Sequence, residues 1–405
     1  MYEAISINQE KSQIINRSLI LSLLRQEGVC SRATLARLSG LKQATITNIA
    51  GELIQCGLVV ETGLISGEKN RRSIGVTLND ERYKVIGIRM TRSAFYLCVA
   101  GLSGRLYSIH EYGIGPRESV SSILTCIRAA IQKTAQQYPE TEILSACIAV
   151  PGPYREREDR LLFVTELDGW KDYPIRETLS AGLDLPLYVI NDANASAFAQ
   201  LWYRGKDQGV ENMVYVLAGQ GVGCGMIVDG QLILGQQGIA GEFGHSSINF
   251  NGLPCACGNR GCLEKYCSIT ALRERILELL RSGRSSCLTE IRLTTQAIAT
   301  AVRAGDHVAC EAYRQVCDFL ATGIVGLVNQ LNPGRVIIGD ELAEIHPGIL
   351  LDVVRRRIEN NVNPLVIQNV SIEVNQLHES PSLLGASAYA AHQELSNPVR
   401  LLSCG

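Results

Sequence analysis

Four residues near the middle of the chain could together hold a metal ion. His245, Cys255, Cys257 and Cys262 fall within 18 residues, in the order His-x9-Cys-x-Cys-x4-Cys. One imidazole and three thiolates are ligands typical of a closed, four-coordinate zinc site, and soft sulfur ligands rarely cluster in this way by accident. The sequence therefore predicts one structural Zn²⁺ per chain, held within 245–262. The alternative is three buried cysteines beside a surface histidine.

A second set of residues could contact DNA. Apolar residues recur at helical spacing from Ile14 to Leu24, which predicts a first helix that ends near Gly28. Ser31 is a suitable N-cap for a second helix over 32–38, and Gly57 would close a third helix over 43–56. The front of this third helix exposes small and polar side chains that could read base edges in a major groove. They are Gln43, Thr45, Thr47 and Asn48.

Two short β runs over 58–62 and 73–78 predict a hairpin, the wing of a winged helix-turn-helix. Basic residues of the second helix and the wing complete the predicted DNA-binding set: Arg32, Lys69, Arg71 and Arg72. Nine Lys or Arg against four Glu between residues 11 and 72 give a local charge of +5. This concentration of positive charge is typical of a DNA-binding domain, which we predict over residues 1–80. The alternative is a three-helix protein-interaction module.

From Tyr83 onward the pattern changes to alternating strands and helices. Apolar runs end at Pro151-Gly152, at Asn191-Asp192 and before the glycine-rich 219–225, which places ligands at the carboxyl edge of a sheet. The 405 residues are 46% apolar with a net charge of −2, which is typical of a globular protein without a general attraction to nucleic acid. No 18-residue apolar segment or secretory leader is present, so we expect a cytoplasmic protein.

These features together resemble the ROK family of bacterial sugar-responsive repressors and sugar kinases. The resemblance rests on the winged-helix start, Asn-Asp-Ala-Asn at 191–194, Gly-Glu-Phe-Gly-His at 241–245 and Cys-x-Cys-Gly-x-x-Gly-Cys-Leu-Glu at 255–264. It implies an α/β fold with two actin-like, ribonuclease-H-like lobes over 81–405, a sugar in the cleft between them, and a homodimer or tetramer. The N-terminal domain marks the repressor branch.

The resemblance also implies which residues bind sugar. Family kinases use an Asn-Asp pair, the Glu and His of the Gly-Glu-x-Gly-His segment and the Glu after the last cysteine. Here these residues are Asn191, Asp192, Glu242, His245 and Glu264. Carboxylates beside an amide and an imidazole suit the hydroxyls of a pyranose, which donate and accept hydrogen bonds. One position departs from the family, which often has Asn where this chain has Glu166.

Three departures lie where family kinases bind the nucleotide. The Asp-x-Gly-Gly-Thr phosphate loop is replaced by 89–93, in which Arg89 stands for the aspartate and Thr91 and Arg92 crowd the glycine positions. The second loop has Gln220 in place of a hydroxyl residue, and a later Gly-Gly has become Gly339-Asp340. A phosphate loop works through unobstructed backbone N–H groups, so we expect that ATP binding has been lost.

The sequence therefore predicts a sugar-responsive DNA-binding transcriptional regulator, a repressor, located in the bacterial cytoplasm and on the nucleoid when bound to its operator. Its effector would be a sugar or sugar phosphate. The rival is a sugar kinase that uses ATP with Asp192 as general base. A third interpretation is a zinc-stabilised interaction protein whose first domain binds another protein.

Overall fold

The computed structural model describes residues 9–66, 72–115, 118–162, 169–204 and 211–402. Within this part the chain forms a small N-terminal unit followed by two α/β lobes. The residues Glu166, Lys69 and Arg71, which carry three of the predictions above, lie outside the described residues. No helix of the described part is both long and apolar enough to cross a membrane.

The N-terminal unit consists of three helices and a small antiparallel sheet. Its elements are α1 (Gln9–Glu27), β1 (Cys30–Ser31), α2 (Arg32–Ser39), α3 (Gln43–Gln55), β2 (Val59–Ser66) and β3 (Arg72–Leu78). The Ser31 hydroxyl accepts a hydrogen bond from Thr34 N at 3.1 Å, which confirms the predicted N-cap of α2. Strands β2 and β3 form the predicted hairpin, and the unpredicted two-residue β1 pairs with β3. Buried Leu35, Ile46 and Leu53 fill the space between the helices.

The first lobe has a five-stranded sheet in the order β10-β7-β4-β5-β6. Its elements are β4 (Tyr83–Met90), β5 (Ala94–Gly101), β6 (Leu106–Gly113), α4 (Val120–Gln136), β7 (Glu142–Val150), β8 (Tyr154–Arg155), β9 (Arg160–Leu161), α5 (Ile175–Ser180), β10 (Leu187–Asn191) and α6 (Asp192–Tyr203). Strands β10, β7 and β4 are parallel, so their carboxyl ends meet at one edge.

The second lobe repeats this plan with a sheet in the order β13-β12-β11-β14-β15. Its elements are β11 (Met213–Ala218), β12 (Val222–Val228), β13 (Gln231–Leu232), a 3-10 turn (Phe243–His245), α7 (Glu264–Cys267), α8 (Ile269–Arg281), α9 (Thr295–Arg303), α10 (His307–Leu331), β14 (Arg335–Gly339), α11 (Glu341–Ile345), α12 (Pro347–Asn361), α13 (Pro364–Ile367) and β15 (Ser371–Val374). The helical stretch predicted from Thr270 to about Gln330 corresponds to α8, α9 and α10. Two last helices follow, α14 (Pro381–Ser396) and α15 (Val399–Leu402).

Helices α6 and α14 hold the two lobes together. Helix α14 returns to the first lobe and packs on α6 and on β4, β5 and β7, while the other face of α6 packs on β11 and β12 of the second lobe. The contacts are very close: a Cβ at Gly385 of α14 would lie 1.8 Å from Ala195 O of α6. A Cβ at Gly225 of β12 would lie 2.4 Å from Ala193 O. Glycine is therefore required on both sides of α6.

Candidate functional site

A polar cavity of about 340 Å³ lies between the two lobes, within the size range of small-molecule sites, roughly 300–1,000 Å³. It lies where β4, β7, β10 and β11 end, the edge predicted for ligands. The structure brings all five predicted sugar-binding residues to its wall: Asn191, Asp192, Glu242, His245 and Glu264. Residues 89–93, Gln220 and Asp340 line the same cavity.

Asn191 and Asp192 lie where β10 turns into α6. The Asn191 side chain is the N-cap of α6, because its Oδ1 accepts from the backbone N–H groups of Ala193 at 3.0 Å and Asn194 at 3.2 Å. Its Nδ2 donates to Gly152 O at 3.0 Å, which ties the helix to the turn after β7. The amide thus fixes the start of the helix, and Asp192 follows it directly at the cavity wall.

The remaining polar residues come from the second lobe. Glu264 is 8% exposed, and its Oε2 accepts from Val222 N at 3.0 Å, which anchors the carboxylate at the start of β12. The Glu242 Oε2 lies 3.8 Å from His245 Nε2. One histidine ring nitrogen therefore faces the carboxylate at the cavity.

Two carboxyl groups of the cavity, those of Asp192 and Glu242, have raised pKa values. Burial, and next the charge of Asp340, raise the pKa of Asp192 to about 7, although Arg89 works against this. Burial, followed by the charges of Asp192 and Glu264, raises the pKa of Glu242 to about 7. Each of these two carboxyl groups can therefore donate or accept a hydrogen bond near neutral pH, which fits a ligand rich in hydroxyl groups.

The predicted metal ligands form one cluster beside the cavity. The ligand atoms of His245, Cys255, Cys257 and Cys262 all lie within 4.8 Å of one another, so the cluster could hold a metal ion. The Cys257 and Cys262 sulfurs are 3.6 Å apart, too far for a disulfide bond of about 2.05 Å. Cys255 Sγ lies 3.6 Å from His245 Nδ1. Sulfur ligands about 2.3 Å from a tetrahedral metal lie roughly 3.8 Å from one another, close to these spacings.

Backbone turns aim these four ligands inward. Cys255 N donates to Asn259 O at 2.9 Å, and Gly258 N donates to Cys255 O at 3.0 Å, which closes the loop 255–259 that carries the first two cysteines. Gly261 has φ 67°, and a Cβ there would lie 1.8 Å from Asn249 O, so this position requires glycine. Because His245 has Nδ1 on the sulfur side and Nε2 on the cavity side, it joins the cluster to the cleft.

Arginine side chains from the first lobe cross the cleft at its other end. Arg89 Nη2 lies 3.2 Å from Asp340 Oδ1, and its Nη1 donates to Ser380 Oγ at 2.9 Å. Arg92 Nη1 donates to Gln220 Oε1 at 2.7 Å. Burial works to lower the pKa of Arg89, but Asp340 and Asp192 outweigh it and raise that pKa above its usual value. The residues that depart from the kinase pattern therefore pair across the cleft, Arg89 with Asp340 and Arg92 with Gln220.

Asp340 adopts a backbone conformation that is nearly exclusive to glycine. Its φ is 73° and its ψ is −172°, a combination that costs a residue with a Cβ about 1–3 kcal/mol. The carboxylate approaches Gly219 so closely that a Cβ there would lie 2.6 Å from Asp340 Oδ2. Sequence reasoning noted the changes at Arg89 and Asp340 but missed Ser380, the second partner of Arg89, which lies 291 residues away in the sequence and reaches it only through the fold.

A pair of substitutions tests the strain at Asp340. Both Asp340→Ala and Asp340→Gly remove the carboxylate, but only glycine relaxes the backbone. We expect the glycine variant to be more stable to urea unfolding by about 1 kcal/mol or more. The same two substitutions at Asp352, which is exposed within helix α12, provide the control. There the alanine variant should be more stable than the glycine variant by about 1 kcal/mol, because alanine favours a helix. Equal stability of the two Asp340 variants would contradict the assignment.

The predicted DNA-binding residues lie in the N-terminal unit. Gln43, Thr47 and Asn48 are exposed on the first turns of α3, and Thr45 is half-buried. The Thr47 hydroxyl donates to Gln43 O at 2.9 Å. Arg72 is exposed at the start of β3. Arg32 pairs with Glu61 Oε1 at 2.8 Å, a contact between α2 and β2 that sequence reasoning did not anticipate.

Comparison with known proteins identifies the family. Residues 85–393 match the model of the ROK family. The xylose repressor of Caldicellulosiruptor bescii is 30% identical over 390 residues, which cover 95% of this chain and 97% of that protein. The DNA-binding transcriptional repressor Mlc of Escherichia coli is 26% identical over 92% of each chain.

Solved structures agree on the fold. A ROK family transcriptional regulator homologous to E. coli Mlc has a TM-score of 0.83 and 25% identity, and covers 97% of this chain and 99% of its own. A ROK family glucokinase from Streptomyces griseus in complex with glucose and AMPPNP has a TM-score of 0.67 and 24% identity, and covers 76% of this chain and 98% of its own. The predicted two-lobed, actin-like fold is confirmed, and the chain belongs to the ROK family.

Proposed function

We propose that the chain is a DNA-binding transcriptional repressor whose operator affinity changes when a sugar binds the interlobe cleft. The observation that carries this proposal is the share of the chain that each kind of relative matches. The relatives named as repressors match 92–95% of the chain, which includes the N-terminal unit. The glucokinase matches 76% of it.

The N-terminal unit is the proposed DNA-binding domain, residues 1–80. Its third helix presents Gln43, Thr47 and Asn48 to solvent, and these side chains are short enough for the helix to enter a major groove. Basic residues of the wing and of α2 would contact phosphates. Arg72 is exposed and available for this contact, whereas Arg32 also pairs with Glu61. A palindromic operator needs two such units, so the proposed active form is a homodimer or tetramer in the cytoplasm.

Substitutions in α3 and the wing test this assignment. Asn48→Ala should weaken operator binding on the order of 1–3 kcal/mol, and only when the base pair that Asn48 contacts is present. Arg72→Ala should weaken binding to all sequences alike and lower the salt dependence by about one unit. Gln55→Ala, exposed at the far end of α3, is the matched control and should bind as wild type. Titrations at several salt concentrations measure all three, and wild-type binding by both of the first two variants would refute the assignment.

The cleft is the proposed sugar site. Asp192, Glu242 and Glu264 provide carboxyl groups from both lobes, and His245 Nε2 adds a ring nitrogen. Because the groups come from both lobes, a sugar bound to all of them would favour one degree of lobe closure over another. A ligand changes the population of states only through such a difference in affinity.

A sugar kinase is the second candidate, and Asp192 favours it. A carboxyl group with a pKa of about 7 in the cleft could serve as a general base. The opposing observation is the Arg89–Asp340 pair, which joins two positions that the resemblance assigns to nucleotide binding in family kinases. Phosphoryl transfer depends on positioning and charge around the phosphates and Mg²⁺, and an arginine at position 89 would repel the metal ion.

Release of ADP and binding of sugar distinguish the two candidates. The panel contains D-xylose, D-glucose, N-acetylglucosamine and a sugar phosphate, and we expect one of them to raise the melting temperature without release of ADP. A ligand at about 100 times its Kd adds roughly 2.7 kcal/mol to the free energy of unfolding. Glu242→Ala should abolish the thermal shift, and Asp352→Ala should leave it unchanged. Turnover near the ordinary kinase range of roughly 1–100 per second, lost in Asp192→Ala, would establish the kinase instead.

We also propose that the metal held by the cluster is zinc. The donor set of one imidazole nitrogen and three sulfurs, together with spacings of 3.6 Å, fits a tetrahedral ion without room for a water ligand. Zinc here would stabilise the loop 245–262 and fix the orientation of the His245 ring toward the cleft.

Elemental analysis tests the zinc proposal. Protein purified without chelators should contain about one zinc per chain, and Cys257→Ser should lower this content. Cys257→Ser should also weaken the sugar-induced thermal shift, because His245 would lose its orientation. Cys287→Ser, which removes another exposed thiol, should change neither quantity. Metal content near zero in the wild-type protein would refute the proposal.

A further inference from the structure

We propose that the contact between Arg25 and Trp202 is the joint through which the cleft controls the DNA-binding unit. The inference rests on the proposed function and adds the route by which sugar and operator communicate. The joint lies at the end of α6 that is farthest from the cleft.

Helix α6 extends from the cleft to the N-terminal unit. Its first residue, Asp192, lines the cavity, and its last turn carries Trp202 and Tyr203. Twelve helical residues span roughly 18 Å. At the far end, the Arg25 guanidinium of α1 lies 4.2 Å from the centre of the Trp202 ring, and its Nη1 donates to Trp202 O at 2.9 Å. One continuous element therefore contacts both sites.

The packing of α6 makes it suitable for transmitting a displacement. Nine of the twelve residues of the helix are buried, and four of these nine are alanines. The backbone at Ala195 is in contact with Gly385 of α14, and the backbone at Ala193 is in contact with Gly225 of β12. Close-packed interiors yield little to compression, so movement of the Asp192 end relative to one lobe would move the helix as a rigid body.

Aromatic rings extend the joint from α6 to α14. The Phe198 ring lies 5.5 Å from that of Tyr389 and 5.3 Å from that of His392, and Trp202 lies 6.2 Å from His392 in an edge-to-face arrangement. Arg25 therefore contacts a surface to which both helices contribute. Burial lowers the pKa of Arg25 to about 10, so it stays cationic near neutral pH.

A cavity beside the joint leaves room for α1 to move. It has a volume of about 640 Å³ and is lined by residues of α1, α6, α14 and β13. Ser22 and Gln26 flank Arg25 on the α1 side, and Leu201 and Leu232 lie opposite. Helix α1 packs on α14 beside this gap, and Arg25 adds the stacking contact and the hydrogen bond that link α1 to the end of α6. A change of α1 orientation changes the spacing of two recognition helices in a dimer, and both half-sites must engage together.

Linkage supplies the test, because a sugar that changes operator affinity by some factor must have its own affinity changed by the operator by the same factor. The operator is a fragment selected from random DNA by the wild-type protein, and the sugar is D-xylose, or D-glucose if D-xylose gives no thermal shift. Operator Kd is measured with and without sugar, and sugar Kd with and without operator. In Arg25→Met we expect the coupling factor to fall at least fivefold toward 1, while sugar affinity without DNA stays within twofold of wild type.

Arg17→Met is the matched control on the same helix. Arg17 pairs with Glu52 of α3 at 2.8 Å, inside the N-terminal unit, so its loss can weaken operator binding but should leave the coupling factor unchanged. Arg25→Lys provides a second variant if the methionine variant does not fold. Lysine keeps the charge but lacks the planar guanidinium, which can stack on the Trp202 ring and donate a hydrogen bond to Trp202 O at the same time. The coupling factor should therefore fall in this variant too.

The outcomes separate the two proposals. Full wild-type coupling in a folded Arg25 variant overturns the joint and leaves the regulator intact. Absence of coupling in the wild-type protein, at saturating sugar, overturns the proposed function itself and the joint with it. Loss of coupling in Arg17→Met as well as in the Arg25 variants would mean that α1 as a whole, rather than the joint, is responsible, and would also overturn the inference.

Discussion

The position of helix α6 is the constraint on which the rest of the structure depends. Its backbone is in contact with Gly385 of α14 on one side and with Gly225 of β12 on the other, at distances that leave no room for a Cβ. The helix is therefore shared by both lobes. The side chain that starts it, Asn191, also ties it to the turn after β7. The cleft inherits its geometry from this arrangement, because the carboxyl groups of Asp192 and of Glu242 and Glu264 face one another across it.

The cleft is divided into two chemically different ends. Toward the metal-ligand cluster, burial and the charges of Asp192 and Glu264 raise the pKa of Glu242 to about 7. Burial and the charge of Asp340 raise the pKa of Asp192 to about 7. At the other end, Arg89 and Asp340 form an ion pair between the lobes. The first end suits a neutral, hydroxyl-rich ligand, and at the second end side chains of the two lobes pair with one another. The kinase motifs that the resemblance implies are therefore matched at the proposed sugar site and changed at 89–93, Gln220 and Asp340.

Local sequence patterns were sufficient for much of this account. The metal-ligand set and the N-cap at Ser31 depend on residues close in the chain, and the hairpin of β2 and β3 follows from two adjacent β runs. The cleft residues were located by resemblance, and the fold brings all of them to one cavity. Their roles toward a sugar remain predictions.

Other features depend on distant contacts that no local pattern reveals. Strand β1 has two residues and exists because Cys30 pairs with Val76. The Arg89–Asp340 pair joins residues 251 positions apart, and the substitutions at these two positions were recognised separately as losses rather than as partners. The resemblance implied a sugar-binding role for Asn191, which stays a prediction, and only the structure reveals that its amide oxygen caps α6. Such assignments require the three-dimensional fold because charge, backbone angle and helix capping are decided there.

The most direct test of the central claim is operator binding by the wild-type protein with and without a sugar that saturates the cleft in a thermal-shift assay. Allosteric coupling of ordinary strength changes affinity about 5- to 150-fold, and we predict a change in operator Kd in this range that disappears in Glu242→Ala. The same operator Kd with and without saturating sugar would contradict the account.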